Sequence, residues 1–178
     1  MKFIKTKVKG VYIIEPEPLR DKRGYFVRTF CKKETAEFGI NFNIVQANRS
    51  FTKKKGTIRG LHYQTFPNWE DKIIQCVSGD IYCVVLDLRI KSLTFGRWIS
   101  EKLSEDNKKM ILVPKGCANG FQTLADNCLV EYFMSKYYSP ENGAGIKWND
   151  PKFKIKWPIK KIFISNKDKN WEYWDISK

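Results

Sequence analysis

The run Lys72-Ile73-Ile74-Gln75-Cys76-Val77-Ser78-Gly79-Asp80-Ile81-Tyr82-Cys83-Val84-Val85-Leu86-Asp87-Leu88 decides the fold class. Two β-type segments, 73–77 and 81–88, flank a Ser-Gly-Asp turn, and this order predicts a hairpin. Along 81–88 one parity gives Tyr82, Val84, Leu86 and Leu88, and the other gives Ile81, Cys83 and Val85 before Asp87. A strand apolar on both faces is covered on both faces. The expected cover is a second sheet or a partner subunit.

The same signature recurs outward in both directions. Residues 8–14 form a β-type run that breaks at Pro16 and Pro18, and 24–30 form another. Residues 110–113 run into Pro114-Lys115-Gly116. Segments 121–124 and 128–138 flank Ala125-Asp126-Asn127 and predict a second hairpin. Only 33–38, stopped by Gly39, has a helical pattern. Short strands at roughly 8–12-residue spacing predict an all-β sandwich, jelly roll or barrel. With no linker, repeat or low-complexity segment, the 178 residues are expected to form one domain, 1–178. The tail 149–178 carries Pro151, Pro158, Trp157, Trp171 and Trp174 and is expected to pack on the body.

Composition excludes several functions. One histidine is too few for an imidazole metal centre, and the five cysteines, Cys31, Cys76, Cys83, Cys117 and Cys128, form no C-x-x-C pair. No metal is expected, and the cysteines read as reduced and buried. No uncharged stretch of about 18 apolar residues occurs, and the charged N-terminal segment is unlike a signal peptide, so a cytoplasmic protein without membrane contact is expected. Formal net charge is +14. Without a nucleic-acid-binding motif, this reads as a solvated lysine-rich surface rather than a nucleic-acid site, though it would attract a smaller anion such as a nucleotide diphosphate.

Four side chains stand out by local pattern. His62 sits in Ile58-Arg59-Gly60-Leu61-His62-Tyr63-Gln64, beside a guanidinium and an open backbone. A lone histidine is more often structural, but an imidazole can act as a neutral base at cellular pH, with a carboxylate fixing its tautomer. Tyr132 and Tyr138 share the parity of Cys128, Val130 and Met134, which points them inward, as proton donors or as ordinary core tyrosines. Lys72 opens a strand after Trp69-Glu70-Asp71; it is either an oxyanion partner or a solvated strand end.

The order of motifs says more than any one of them. Asp21-Lys22-Arg23-Gly24-Tyr25-Phe26, Asn48-Arg49-Ser50, Arg59-Gly60-Leu61-His62-Tyr63-Gln64, Asp87-Leu88-Arg89, Thr94-Phe95-Gly96-Arg97-Trp98, Leu103-Ser104 with Asn107, Pro114-Lys115-Gly116-Cys117-Ala118-Asn119-Gly120-Phe121, Tyr137-Tyr138-Ser139-Pro140-Glu141 and Trp148-Asn149-Asp150-Pro151 follow one another. In this order the chain resembles the dTDP-4-dehydrorhamnose 3,5-epimerase family from about Lys9 to Asp168. The resemblance implies a cupin-type jelly roll acting as a homodimer, without metal or cofactor, on a nucleoside-diphosphate 4-keto-6-deoxy sugar. It implies His62 as base, Asp168 as its carboxylate partner, Tyr132 as acid and Lys72 beside the enolate oxygen. Arg23, Asn48, Arg59, Asn119 and Tyr138 then fall at substrate-binding positions.

Three departures accompany the resemblance. Asn119 stands where the family usually has histidine, which can restrict inversion to one carbon. Arg28 replaces a usual glutamate where the nucleotide base is expected, which opens the choice of nucleoside. Cys83 replaces a usual aspartate. Arg59 and His62 also have opposite parity in a regular strand, so a shared cavity requires a bulge, which Gly60 permits. The competing readings are a monofunctional 3- or 5-epimerase, an enzyme for another nucleotide sugar, and a non-catalytic sugar-nucleotide binder.

Overall fold

The structure, a computed structural model, describes residues 1–175. It contains fourteen strands: β1 (Lys2–Lys5), β2 (Tyr12–Glu15), β3 (Leu19–Asp21), β4 (Gly24–Phe26), β5 (Gln46–Thr52), β6 (Thr57–Gln64), β7 (Lys72–Ser78), β8 (Asp80–Asp87), β9 (Trp98–Ser104), β10 (Met110–Val113), β11 (Cys117–Thr123), β12 (Cys128–Met134), β13 (Gly143–Gly145) and β14 (Phe163–Ile164). Two short α-helices, α1 (Lys32–Glu37) and α2 (Asn166–Lys169), and a single 3-10 turn at Pro140–Asn142 complete it. Helix α1 lies where the sequence predicts one; α2 was not anticipated.

One sheet runs β1-β2-β10-β7-β12-β5 and the other β13-β6-β11-β8-β9, with β14 added to β6. A core drawn from both sheets joins them, with Ile13, Ile74, Ile111 and Val130 from the first and Ile81, Val85, Ile99 and Phe121 from the second. This is the cupin-type jelly roll.

Neither predicted hairpin is one. β7 pairs with β10 and β12, whereas β8 pairs with β11 and β9, so the turn at Gly79 hands the chain from one sheet to the other. β11 and β12 part in the same way. A tight turn looks the same in sequence whether its arms pair together or separate at a sheet corner. Gly79 has φ +77°, and a Cβ there would lie 2.8 Å from Cys128 Sγ, so the corner needs glycine.

The second apolar face of β8 is covered by neither a further sheet nor a partner subunit, but by the chain's own tail. Val84, Leu86 and Leu88 pack with Ile146 and Phe153, and Ile155, Trp157 and Trp174 lie against them. Buried Gln122 clasps the tail through two hydrogen bonds with the Ile159 backbone, at 2.9 and 3.0 Å. Of the tail 149–178 expected on the body, residues 176–178 lie outside those described. The outer face of the first sheet is covered by a segment around α1, with Phe42 buried against Phe3, Ile14, Ile73 and Met110. Among the described residues no helix is long and apolar enough to cross a membrane.

Candidate active site

At one end the sheets part around a cavity of about 430 Å³. The β5, β7 and β12 wall contributes Asn48, Lys72 and Tyr132; the β6 and β11 wall contributes Arg59, His62 and Asn119. Tyr138 stands at the half-exposed rim, and Asp168 and Trp171 close the side near α2.

The bulge that the parity of Arg59 and His62 demands is present. His62 pairs with Asn119 and Arg59 with Phe121, so β6 takes three steps where β11 takes two. Both side chains therefore reach the cavity. Gly60 adopts φ +123°, and a Cβ there would lie 2.6 Å from Gly120 Cα. Its freed N–H donates to Asp168 Oδ2 at 3.2 Å.

His62 Nε2 lies 2.6 Å from Asp168 Oδ1, which also accepts from Trp171 Nε1 at 3.3 Å. Burial pushes the Asp168 carboxyl up, but hydrogen bonding and charge from His62, with the Gly60 and Trp171 donors, hold it below its ordinary value. An ionised Asp168 accepts a hydrogen bond from Nε2–H, and this tautomer leaves Nδ1 as the base atom. The Asp168 backbone N–H caps on Ser165 Oγ at 3.1 Å, so Ser165-x-x-Asp168 carries a helix-start signal that could have drawn attention to this carboxylate.

Tyr132 projects from the opposite sheet. It lies in register with Asn48 and Ile74, and burial raises its phenol above the ordinary range, partly offset by the charge of Arg59. Lys72 Nζ contacts Glu70 Oε1 at 2.7 Å and Asn119 Oδ1 at 3.3 Å. Arg59 is anchored through Nε to Thr52 Oγ1 and through Nη2 to the Phe51 carbonyl, which leaves Nη1 to meet an anion. Asn48 is fixed between Gln46 and Met134.

Arg23 is not brought here. It sits exposed at the turn of the β3–β4 hairpin, paired with Asp21 at 2.6 Å. Arg28 also lies away from the cavity, bound to Glu34. Cys83 is sealed in the inter-sheet core with its thiol pushed up to about 12 by burial, so that departure concerns packing. Local reasoning assigned no role to Glu70, Gln46 or Trp171, which all line the cavity. Among the described residues no group of three or more His, Cys, Asp or Glu side chains is gathered to hold a metal ion.

A family profile described as dTDP-4-dehydrorhamnose 3,5-epimerase matches residues 5–175. The dTDP-4-dehydrorhamnose 3,5-epimerase of Methanothermobacter thermautotrophicus is 40% identical over 174 residues, covering 96% of this chain and 93% of that one. The chain belongs to the dTDP-4-dehydrorhamnose 3,5-epimerase family. It is an isomerase by that membership. The crystal structure of the family's Bacillus anthracis enzyme, with TDP and PPi bound, superposes with TM-score 0.95 at 39% identity, covering 97% of this chain and 99% of that one. ChmJ, a 3'-monoepimerase from Streptomyces bikiniensis solved with dTDP-quinovose, gives 0.88 at 29% identity over 94% and 85%.

Proposed function

We propose that this epimerase inverts C3, C5 or both in a nucleoside-diphosphate-linked 4-keto-6-deoxyhexose, in the cytoplasm, as a step of deoxysugar synthesis. The C4 ketone acidifies the hydrogens on C3 and C5. His62 Nδ1 removes one of them, the electron pair moves to O4, and the Lys72 ammonium stabilises the resulting enolate. Tyr132 returns a proton to the opposite face of the same carbon. The carrying observation is that His62 and Asp168 stand against one wall of the cavity while Tyr132 projects from the other, because inversion needs base and acid on opposite faces. Arg59 is positioned for the diphosphate.

A homodimer belongs to this reading. The β3–β4 hairpin exposes Leu19, Tyr25 and Phe26, and in a dimer it would carry Arg23 to a second copy's cavity. Sedimentation at two protein concentrations tests the assembly.

Asn119 favours a second reading, inversion at one carbon only, because an amide cannot exchange a proton. Incubation in deuterated water with several 4-keto-6-deoxy sugar nucleotides separates the two. Label with inversion at C3 and C5 assigns the double reaction, label with inversion at one carbon assigns the single one, and no label from any substrate removes the epimerase reading. His62→Ala abolishes exchange. Tyr132→Phe still exchanges but delivers no inverted product.

A further inference from the structure

One buried carboxylate in the cavity has no part in the chemistry described above. Glu70 lies in the loop two residues before Lys72, the first residue of β7. Its side chain is 2% exposed and that of Lys72 is 11% exposed. Glu70 Oε1 meets Lys72 Nζ at 2.7 Å, and Glu70 Oε2 has no hydrogen-bond partner among the described residues. An ammonium and a carboxylate so removed from water each depend on the other's charge. Lys72 Nζ also donates across the gap between the sheets to Asn119 Oδ1 at 3.3 Å, and Asn119 is the register partner of His62.

An ammonium has three N–H bonds. Two of those on Lys72 are committed, one to Glu70 in the loop before β7 and one to Asn119 on β11, and the third remains for a substrate oxygen. The other charged and titratable groups lining the cavity are Arg59, His62 and Tyr63 on β6, Tyr132 on β12, Tyr138 at the rim, and Lys167 and Asp168 on α2. Among the described residues Glu70 is the only carboxylate ion-paired with Lys72.

We propose that Glu70 is a positioning residue that holds the Lys72 ammonium in place and aims its remaining N–H at the carbonyl oxygen of the substrate. This rests on the epimerase reading above. Negative charge gathers on the substrate oxygen only as the enolate develops, so the role of Glu70 is felt in the transition state more than in ground-state binding.

Glu70→Gln keeps the size and an acceptor oxygen but removes the charge. With dTDP-4-keto-6-deoxyglucose its kcat is expected to fall about 100-fold, with KM changed less than about threefold. Glu70→Asp, which keeps the charge, recovers part of kcat. A second readout needs no substrate: acetylation of Lys72 by acetic anhydride, followed on its peptide by mass spectrometry. Glu70→Gln is expected to label several-fold faster than the wild type at one fixed pH, because Nζ is no longer held at 2.7 Å against the buried carboxylate. Equal labelling rates in the two proteins overturn the proposal. An active wild type matched by Glu70→Gln in kcat overturns the role of Glu70 alone. A wild type inactive on every 4-keto sugar nucleotide overturns the epimerase reading with it.

Discussion

Asp168 accepts from three donors, His62 and Trp171 at Oδ1 and the Gly60 backbone at Oδ2, and an amide keeps only one of those two oxygens. Asp168→Asn turns an N–H toward one set of donors and removes the charge that steadies the ring. Its kcat should fall by about 100-fold or more in the isotope-exchange assay, with KM little changed. Because the folded carboxyl lies below its ordinary value, Asp168 favours folding at pH above the unfolded value, and that contribution disappears as pH falls through the folded one. His62, Tyr132 and Lys72 were legible from the sequence because their chemistry is visible in a short motif or a strand parity. Asp168 was reached only through the family resemblance, since 106 residues separate it from His62. Glu70 looked like a loop carboxylate until its burial was seen.

At the scale of single elements, the β6 bulge is the feature on which the site turns. Gly60→Ala would combine an unfavourable positive φ with a Cβ 2.6 Å from Gly120 Cα. It should cost about 3 kcal/mol or more in urea unfolding and abolish exchange, because the same peptide aims His62 and holds Asp168. The parity conflict between Arg59 and His62 predicted this bulge, and it lies where the glycine allows it. The β8–β9 connection depends on buried Asp87. Burial raises its carboxyl, but bonds from Arg89, Ser92 and Thr94 outweigh this and lower it to about 2. The stabilisation, roughly 2 kcal/mol, is therefore present above about pH 4 and lost as pH falls toward 2. Urea titrations across that window should show a loss about 2 kcal/mol smaller in Asp87→Asn than in the wild type, the remainder coming from other lowered carboxylates such as Asp168.

For the whole molecule, the tail is a third layer over the second sheet. Phe153→Ala would open a cavity beneath Trp98 and Trp174 and should cost about 3–5 kcal/mol in denaturant unfolding. The net charge of +14 acts at long range on an anionic substrate, so kcat/KM should fall as ionic strength rises while kcat stays flat.

The sequence alone determined that this chain is built of short strands, that some of them are covered on both faces, and that an imidazole, a phenol and an ammonium are available. Periodicity and residue type are local properties, and the backbone expresses them wherever the strand is placed. Only the tertiary structure decided that the turns at Gly79 and at 125–127 are corners between sheets, and that the tail covers β8. It alone brought Glu70 into the cavity beside Lys72, and it set Asp168, otherwise reached only through the family resemblance, against His62. Those outcomes depend on which distant strands win the backbone hydrogen bonds and which apolar surfaces meet, and no short window of sequence carries that competition.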